Sequence, residues 1–256
     1  MNELDKLFSI IVPARNEEAQ ISKTLKAIIK AIAKFENKRH IDMDSSDSRV
    51  ELIVVDNDSI DSTAAEVKYF VKEHSILAFN CSYIKAACAR NLGVAKAKGR
   101  VFIFVDADTQ IPEDTLLRIH NLINNHSFGC GIFRLTGQKN SLRSWLWWTF
   151  WNHVRRLPLP KAKAFPALMF CARELFDKYG PFDEKVEIGE EWPILTRVFR
   201  AEPERLVYDY TLTAYSSNRR MELQPWGYTR TFLKYVWAIF LHKGRIRHSD
   251  HVRERK

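Results

Sequence analysis

Two aspartates separated by a single alanine, Asp106 and Asp108, follow directly on the apolar run VFIFV at residues 101–105. Carboxylates spaced this way on a tight turn can aim at one hard divalent cation. Mn2+ and Mg2+ prefer oxygen ligands and leave coordination positions open for substrate phosphates. A cation held there would neutralise a diphosphate leaving group. The plainer alternative is that the pair only introduces the next helix, because Pro112, Glu113 and Asp114 make a good first helical turn. Two further polar clusters share this context: PARNEE (13–18) ends the apolar run FSIIV, and DNDS (56–59) ends VELIVV.

The elements that must position these clusters can be read from periodicity. An apolar run rich in β-branched and aromatic residues, without polar alternation, is a strand covered on both faces, as in a largely parallel sheet. Residues 8–12, 50–55 and 101–105 read this way, and SYIK (82–85) reads as a further short strand. Between them lie helical patterns. Ile21, Leu25, Ile28, Ile29, Ile32 and Phe35 fall on one face, and Val67, Phe70 and Val71 on another, with Asp61 or Ser62 as N-cap. A third helix is expected around 87–97, and NKRHIDMDSSDSR (37–49) reads as a loop. Strand and helix alternating at this spacing imply right-handed crossovers, hence an α/β, doubly wound, mostly parallel but mixed sheet flanked by helices. In such a sheet ligands bind outside the carboxyl ends of the strands, where all three polar clusters would converge. Beyond about residue 125 the pattern loosens into a strand FGCGIFRL, an aromatic segment, an apolar run AFPALMFCA, a turn at Gly180–Pro181 and a helix starting near Glu190–Glu191.

Composition bounds the reading. With 256 residues, 46% hydrophobic and 28% charged, the chain can bury a full core in one large domain, and wholesale disorder is excluded. A formal net charge of +9 suits an anionic partner, whether polyanion, lipid surface or nucleotide diphosphate. Cys81, Cys88, Cys130 and Cys171 show no metal-finger spacing and read as reduced thiols of a cytoplasmic protein. The acidic start MNELDK is unlike a signal peptide, and no stretch approaches the roughly 18 apolar residues of a spanning helix.

Five pieces in order carry a family resemblance: IIVPARNEEAQI, LIVVDNDSIDST, ARNLGVAKAKGRVFIFVDAD, YGPFDE and GEEWPILTR. Over roughly residues 8–200 the chain resembles a family-2 glycosyltransferase of the GT-A fold. The resemblance implies a Rossmann-like nucleotide-binding half (about 1–125), an acceptor half (126–222) and a C-terminal amphipathic, basic extension (223–256) within one domain. It implies that Pro13, Arg15 and Glu17 line the nucleotide pocket, that Asp56 accepts a hydrogen bond from the base, and that Arg90 approaches the nucleotide or diphosphate. Asp106 would face ribose and metal, and Asp108 would ligate the metal directly. For Asp56 and Asp58 simple turn chemistry is the rival reading. The family's catalytic base lies in an acidic pair, usually Glu-Asp, which here stands as Glu190–Glu191. Glu191 occupies the aspartate's place, and the extra methylene leaves open which of the two reaches the acceptor hydroxyl. Arg219 and Arg220 match a basic segment that clamps the diphosphate in such enzymes, with a solvated surface pair as the alternative.

The implied activity is metal-dependent, inverting transfer of a single sugar from a UDP- or GDP-linked donor to an acceptor hydroxyl or lipid phosphate. The QxxRW motif of processive synthases is absent. The implied partners are the nucleotide-sugar donor and a carbohydrate or lipid-linked acceptor, not nucleic acid. A haloacid-dehalogenase-type phosphatase also places DxD after a strand, but it wants Thr or Val where Gln110 stands, and it uses its first strand. A nucleotidyltransferase would carry a Gly-rich loop after strand one, and a non-catalytic carbohydrate or membrane-binding relative would not need the acidic set. Four of seven tryptophans crowd into WLWWTFW (145–151), flanked by Arg143, His153, Arg155 and Arg156. That composition suits core packing, a lipid-linked acceptor, or a helix lying on an anionic membrane surface, which would make the protein peripheral on the cytoplasmic face.

Overall fold

Alternate residues of each apolar run face opposite sides of one sheet, and for this reason the runs carry no polar alternation. The computed structural model describes residues 6–42, 49–139, 141–157, 166–185 and 191–219. In chain order its elements are β1 (Lys6–Ala14), α1 (Ile21–Asp42), β2 (Val50–Asp56), α2 (Thr63–Glu73), β3 (Ile76–Asn80), α3 (Ala86–Lys96), β4 (Gly99–Val105) and β5 (Thr109–Gln110). There follow α4 (Thr115–His126), β6 (Cys130–Gly137), α5 (Leu142–Arg156), β7 (Leu168–Ala172), α6 (Arg173–Tyr179), α7 (Trp192–Ala201) and β8 (Leu206–Ser216). Ile10, Val54 and Ile103 enter one core, with α1, α2 and α4; Ile11, Ile53 and Phe102 enter the other, with α3, α6 and α7. Helices thus cover both faces, as the crossover rule requires.

Among the described residues the sheet has eight strands in the order β3-β2-β1-β4-β7-β6-β8-β5. The first four run parallel, β7 is antiparallel to both β4 and β6, β6 is parallel to β8, and β5 is antiparallel to β8. It is the mixed, mainly parallel sheet expected. Because β1, β2 and β4 are parallel neighbours, their carboxyl ends, and the polar clusters that follow them, come out on the same edge.

Two local expectations are corrected. The short strand is at residues 76–80, not 82–85: Ile76 to Asn80 pair in register with Leu52 to Asp56, and the edge position explains why half of that strand is exposed. The segment 37–49 is not wholly loop, because α1 continues to Asp42. Of the two residues expected to cap α2, Ser62 holds the N-cap position, without a side-chain hydrogen bond, while the Asp61 carboxylate accepts from both N and Oγ1 of Thr63. The four cysteines are free thiols. A hydrogen bond with its cross-strand neighbour Cys130, together with burial, pushes the Cys171 thiol well up, and burial lifts Cys88 to about 11, so both stay protonated and unreactive.

Gly93 sets the depth of α3. A Cβ there would sit 2.4 Å from Cγ2 of the buried Ile11, so helix and strand touch where only hydrogen fits. Gly93→Val therefore overpacks the second core and lowers the urea-unfolding free energy by about 2 kcal/mol. A midpoint equal to that of the parent chain would contradict this close approach.

Candidate active site

The site grows from the carboxyl edge of the sheet. After β1 the chain turns sharply at Asn16, and after β2 at Asp58; both adopt positive φ, which Asn and Asp tolerate better than most residues. The two turns are stitched together. Asn16 N donates to Ser59 Oγ (3.1 Å), Ile60 N to Asn16 Oδ1 (2.9 Å), Glu17 N to Thr63 Oγ1 (2.8 Å) and Ser62 N to Glu18 Oε2 (2.9 Å). Burial opposes the Asp61 charge, but hydrogen bonds from Thr63 and Glu18 outweigh it and hold the carboxylate below its ordinary pKa. Asp58 is thus explained by turn geometry. Asp56, half-buried at the end of β2, accepts from Ser59 N at 3.3 Å, a long bond that leaves the carboxylate much of its acceptor capacity.

The turn carrying Asp106 and Asp108 is anchored from four directions. Asp106 N donates to Ala167 O (3.0 Å), Thr24 Oγ1 of α1 donates to Ala107 O (2.8 Å), and the Asp108 carbonyl accepts from Ser217 N (3.0 Å) and Gln138 Nε2 (3.1 Å). The next helix starts only at Thr115, with Asp114 as its N-cap and β5 in between, so neither aspartate introduces it. Arg90 of α3, itself buried, donates through Nη2 to Asp106 Oδ1 at 2.8 Å and lies over the Phe182 ring. Its neighbour Asn91 clasps the Phe182 backbone, Nδ2 donating to the carbonyl and Oδ1 accepting from the amide, each at 3.0 Å. Arg219, just past β8, returns to the β1 turn, where Nη2 donates to Glu17 Oε1 at 2.8 Å and Nη1 to Asn16 O at 3.3 Å. Its guanidinium is thus tied to the β1 turn by an ion pair rather than left to solvent alone. Pro13 lies within β1, and Arg15 follows with Nη1 buried and without a hydrogen-bond partner in the structure; Asn57 Oδ1 is in the same position. Such buried polar atoms ask for a ligand or water.

Glu191 forms a second group. It is the N-cap residue of α7 but its side chain makes no capping bond, and it is 6% exposed. Close to it lies Arg155 of α5, 1% exposed, whose Nη1 donates to Asn152 Oδ1 at 3.3 Å. Burial pulls the Arg155 pKa down to about 10, against the fields of Tyr208 and Glu191, which raise it; the guanidinium is cationic at neutral pH. Tyr208 donates to Asn152 Oδ1 (3.2 Å), and Asn152 exchanges hydrogen bonds with the backbone of Leu135. Arg155 is therefore no flanking surface cation, as its place beside the tryptophans suggested. Leu135 on β6 and Gln138 just beyond that strand tie the two groups to one strand end, three residues or about 10 Å apart along the chain. Glu190, Arg220 and the extension 223–256 lie outside the described residues.

Among the described residues no three His, Cys, Asp or Glu side chains gather as a metal cage. The donor set fits a cation of the Mg2+ or Mn2+ kind all the same, because such ions are held by one or two carboxylates with the remaining positions left to water and phosphate. Asp108 and Asp106 would supply those carboxylates. Sequence reasoning missed Asn91, Gln138, Ser217 and the Arg155–Asn152–Tyr208 cluster. Only Asn91, inside the quoted ARNLG piece, carried a visible signal.

The sequence model described as Glycosyl transferase family 2 matches residues 9–180. The chain belongs to this family. Membership removes the phosphatase and nucleotidyltransferase alternatives. Among curated relatives, the probable glycosyltransferase YdaM of Bacillus subtilis (strain 168) is 26% identical over 216 residues, covering 78% of this chain and 48% of its own length. The chain spans about half or less of the length of the curated relatives it matches. S. aureus TarS 1–349 in complex with UDP superposes with a TM-score of 0.60 at 19% identity, covering 82% of this chain and 60% of that one. The mannosyltransferase PcManGT from Pyrobaculum calidifontis, in complex with GDP-Man and Mn2+, gives 0.57 at 21% identity, covering 82% and 56%. The fold of this family-2 chain is accordingly that of the GT-A glycosyltransferases.

Proposed function

We propose that the protein transfers one sugar, with inversion and in a divalent-metal-dependent reaction, from a UDP- or GDP-linked donor to an acceptor hydroxyl or lipid phosphate. The observation that carries this reading is the clamped Asp106–Asp108 turn with Arg90 fixed on Asp106, on the sheet edge where Asp56 and Arg15 also emerge. A carboxylate at Asp56 reads base N–H donors, and the buried unpartnered guanidinium nitrogen of Arg15 suits a nucleotide oxygen. Arg90 holds Asp106 in place and adds positive potential beside the diphosphate. Asp108, with Asp106, would hold Mn2+ or Mg2+. The ion's contribution when bound is Lewis-acid stabilisation of the departing nucleoside diphosphate. Arg219, poised on Glu17, supplies a cation on the opposite wall.

Glu191 takes the proton of the acceptor hydroxyl as its oxygen forms the bond to the anomeric carbon and the bond from that carbon to the diphosphate oxygen breaks. Attack from the face opposite the leaving group inverts the centre. The neighbours bound to UDP and to GDP-Man with Mn2+ support a nucleotide-sugar donor in this fold.

A thermal-shift panel of UDP-, GDP- and dTDP-sugars with and without Mn2+ tests the donor. A ligand at about 100 times its Kd stabilises by about 2.7 kcal/mol, which for a domain of this size raises the midpoint by about 5–10 °C. One nucleotide class should do so only with Mn2+. A panel without any metal-dependent shift would overturn the proposal.

A further inference from the structure

Helix α5 mixes its faces. Its inward face buries Trp151 with the polar Ser144, Asn152 and Arg155, and Trp148 packs on the core, whereas Leu142 (74% exposed), Trp145 (61%), Leu146 (54%) and Phe150 (44%) face outward. These four fall at i, i+3, i+4 and i+8, one continuous stripe, joined by the exposed His153. A helix at a water-facing surface turns such a stripe inward. The charge around it is equally one-sided. Residues 115–173 hold nine Lys and Arg and no Asp or Glu, an excess equal to the formal net charge of +9. Arg143 and Arg156 border the stripe, both exposed, with Arg156 against the Tyr210 ring.

We propose that the outer face of α5 docks in the plane of an anionic phospholipid bilayer. An apolar stripe with tryptophan, bordered on its own helix by Arg143 and Arg156, matches the acyl boundary beneath a negative headgroup layer. At 15 residues the helix is about 22 Å long, too short to cross a hydrocarbon core of about 30 Å, so it lies along the surface. No helix among the described residues is long and apolar enough to span. A water-soluble protein partner would be expected to meet such a rim with acids; a second copy of this chain would bring another Arg143 and Arg156 to the same contact. The inward face of α5 carries Arg155 beside Glu191, so docking holds that end of the crevice near the bilayer. On the proposed function, whose base is Glu191, the acceptor is then carried in the membrane.

Co-sedimentation of the full chain with phosphatidylcholine vesicles, with and without phosphatidylglycerol, reads docking without any assay of transfer. Binding should require phosphatidylglycerol and weaken with salt. The double variant Trp145→Gln/Leu146→Gln should weaken it at least about tenfold, with the unliganded melting midpoint and the donor-induced shift unchanged. Failure of the parent chain to pellet, or equal pelleting of the double variant, overturns the proposal. So does light scattering that shows a dimer dispersed by the same substitutions, because a second copy would then be what covers the face. None of these outcomes bears on whether the crevice transfers sugar, which the thermal-shift panel tests separately.

Discussion

An Asp108→Asn enzyme loses metal-stimulated sugar transfer by at least about a thousandfold and keeps its fold. The fold survives because the turn is fixed through backbone groups. The Asp108 carbonyl is held by Ser217 and Gln138, Ala107 O by Thr24, and Asp106 N by Ala167; an isosteric side chain leaves all of them in place. What changes is the charge offered to a hard cation, which takes an anionic carboxylate far more readily than an amide oxygen. A Lewis-acid contribution of several kcal/mol corresponds to three or more powers of ten in rate. The measurement is initial rate against Mn2+ concentration for both proteins, beside their unliganded melting curves. Undiminished turnover, or stimulation by Mn2+ equal to the parent's, removes Asp108 from the metal site. Asp106→Asn is a less clean probe, since it also removes the charged partner of the buried Arg90.

The contrast between these aspartates shows what was legible in the sequence. The strands and their carboxyl-end clusters could be read because unbroken apolar runs have one physical meaning, a strand covered on both sides, and parallel pairing carries their ends to one edge. That Arg90 sits on Asp106, from the helix before β4, was not legible: the family pieces imply only that it approaches the nucleotide or diphosphate. Contacts that close over long sequence distance were not legible. The Glu17–Arg219 pair joins the first turn of the domain to the segment past β8, and nothing in either local pattern names the other. Arg155 misled for a different reason. A basic residue after four tryptophans looks like the polar rim of an amphipathic helix, and here its guanidinium lies in the interior and Trp145 in solvent. Which face of a mixed helix points inward is decided by what the interior needs, in this case a cation beside Glu191.

That cation makes the second large prediction a matter of pH as well as rate. Glu191→Gln lowers kcat by about a hundredfold to ten-thousandfold, the usual worth of a general base, while leaving the donor-induced thermal shift intact. In the parent enzyme the base must be ionised, so kcat/KM falls on the acid side as Glu191 takes up a proton, and in the Gln variant that limb disappears. Interaction energies are reciprocal. The Glu191 carboxylate favours the charged form of Arg155, so the Arg155 cation favours ionised Glu191. Removing it in Arg155→Met lets protons compete better for the carboxylate and moves the acid limb upward, whereas Arg155→Lys holds it near the parent position. The other groups around the cluster do not titrate in this window. Burial raises the Tyr208 phenol, which therefore stays neutral. Asp209 is penalised by burial but held low by Arg118 and Thr211, so it stays ionised. Replacing the buried Arg155 also removes its hydrogen bond to Asn152 and costs stability, so the profiles belong at a temperature well below the variant's own midpoint. Lost stability alone scales the rate at every pH and leaves the limb where it was. A displaced limb in Arg155→Met, absent in Glu191→Gln, therefore ties the buried guanidinium to the base through charge; an unmoved limb assigns Arg155 to packing only.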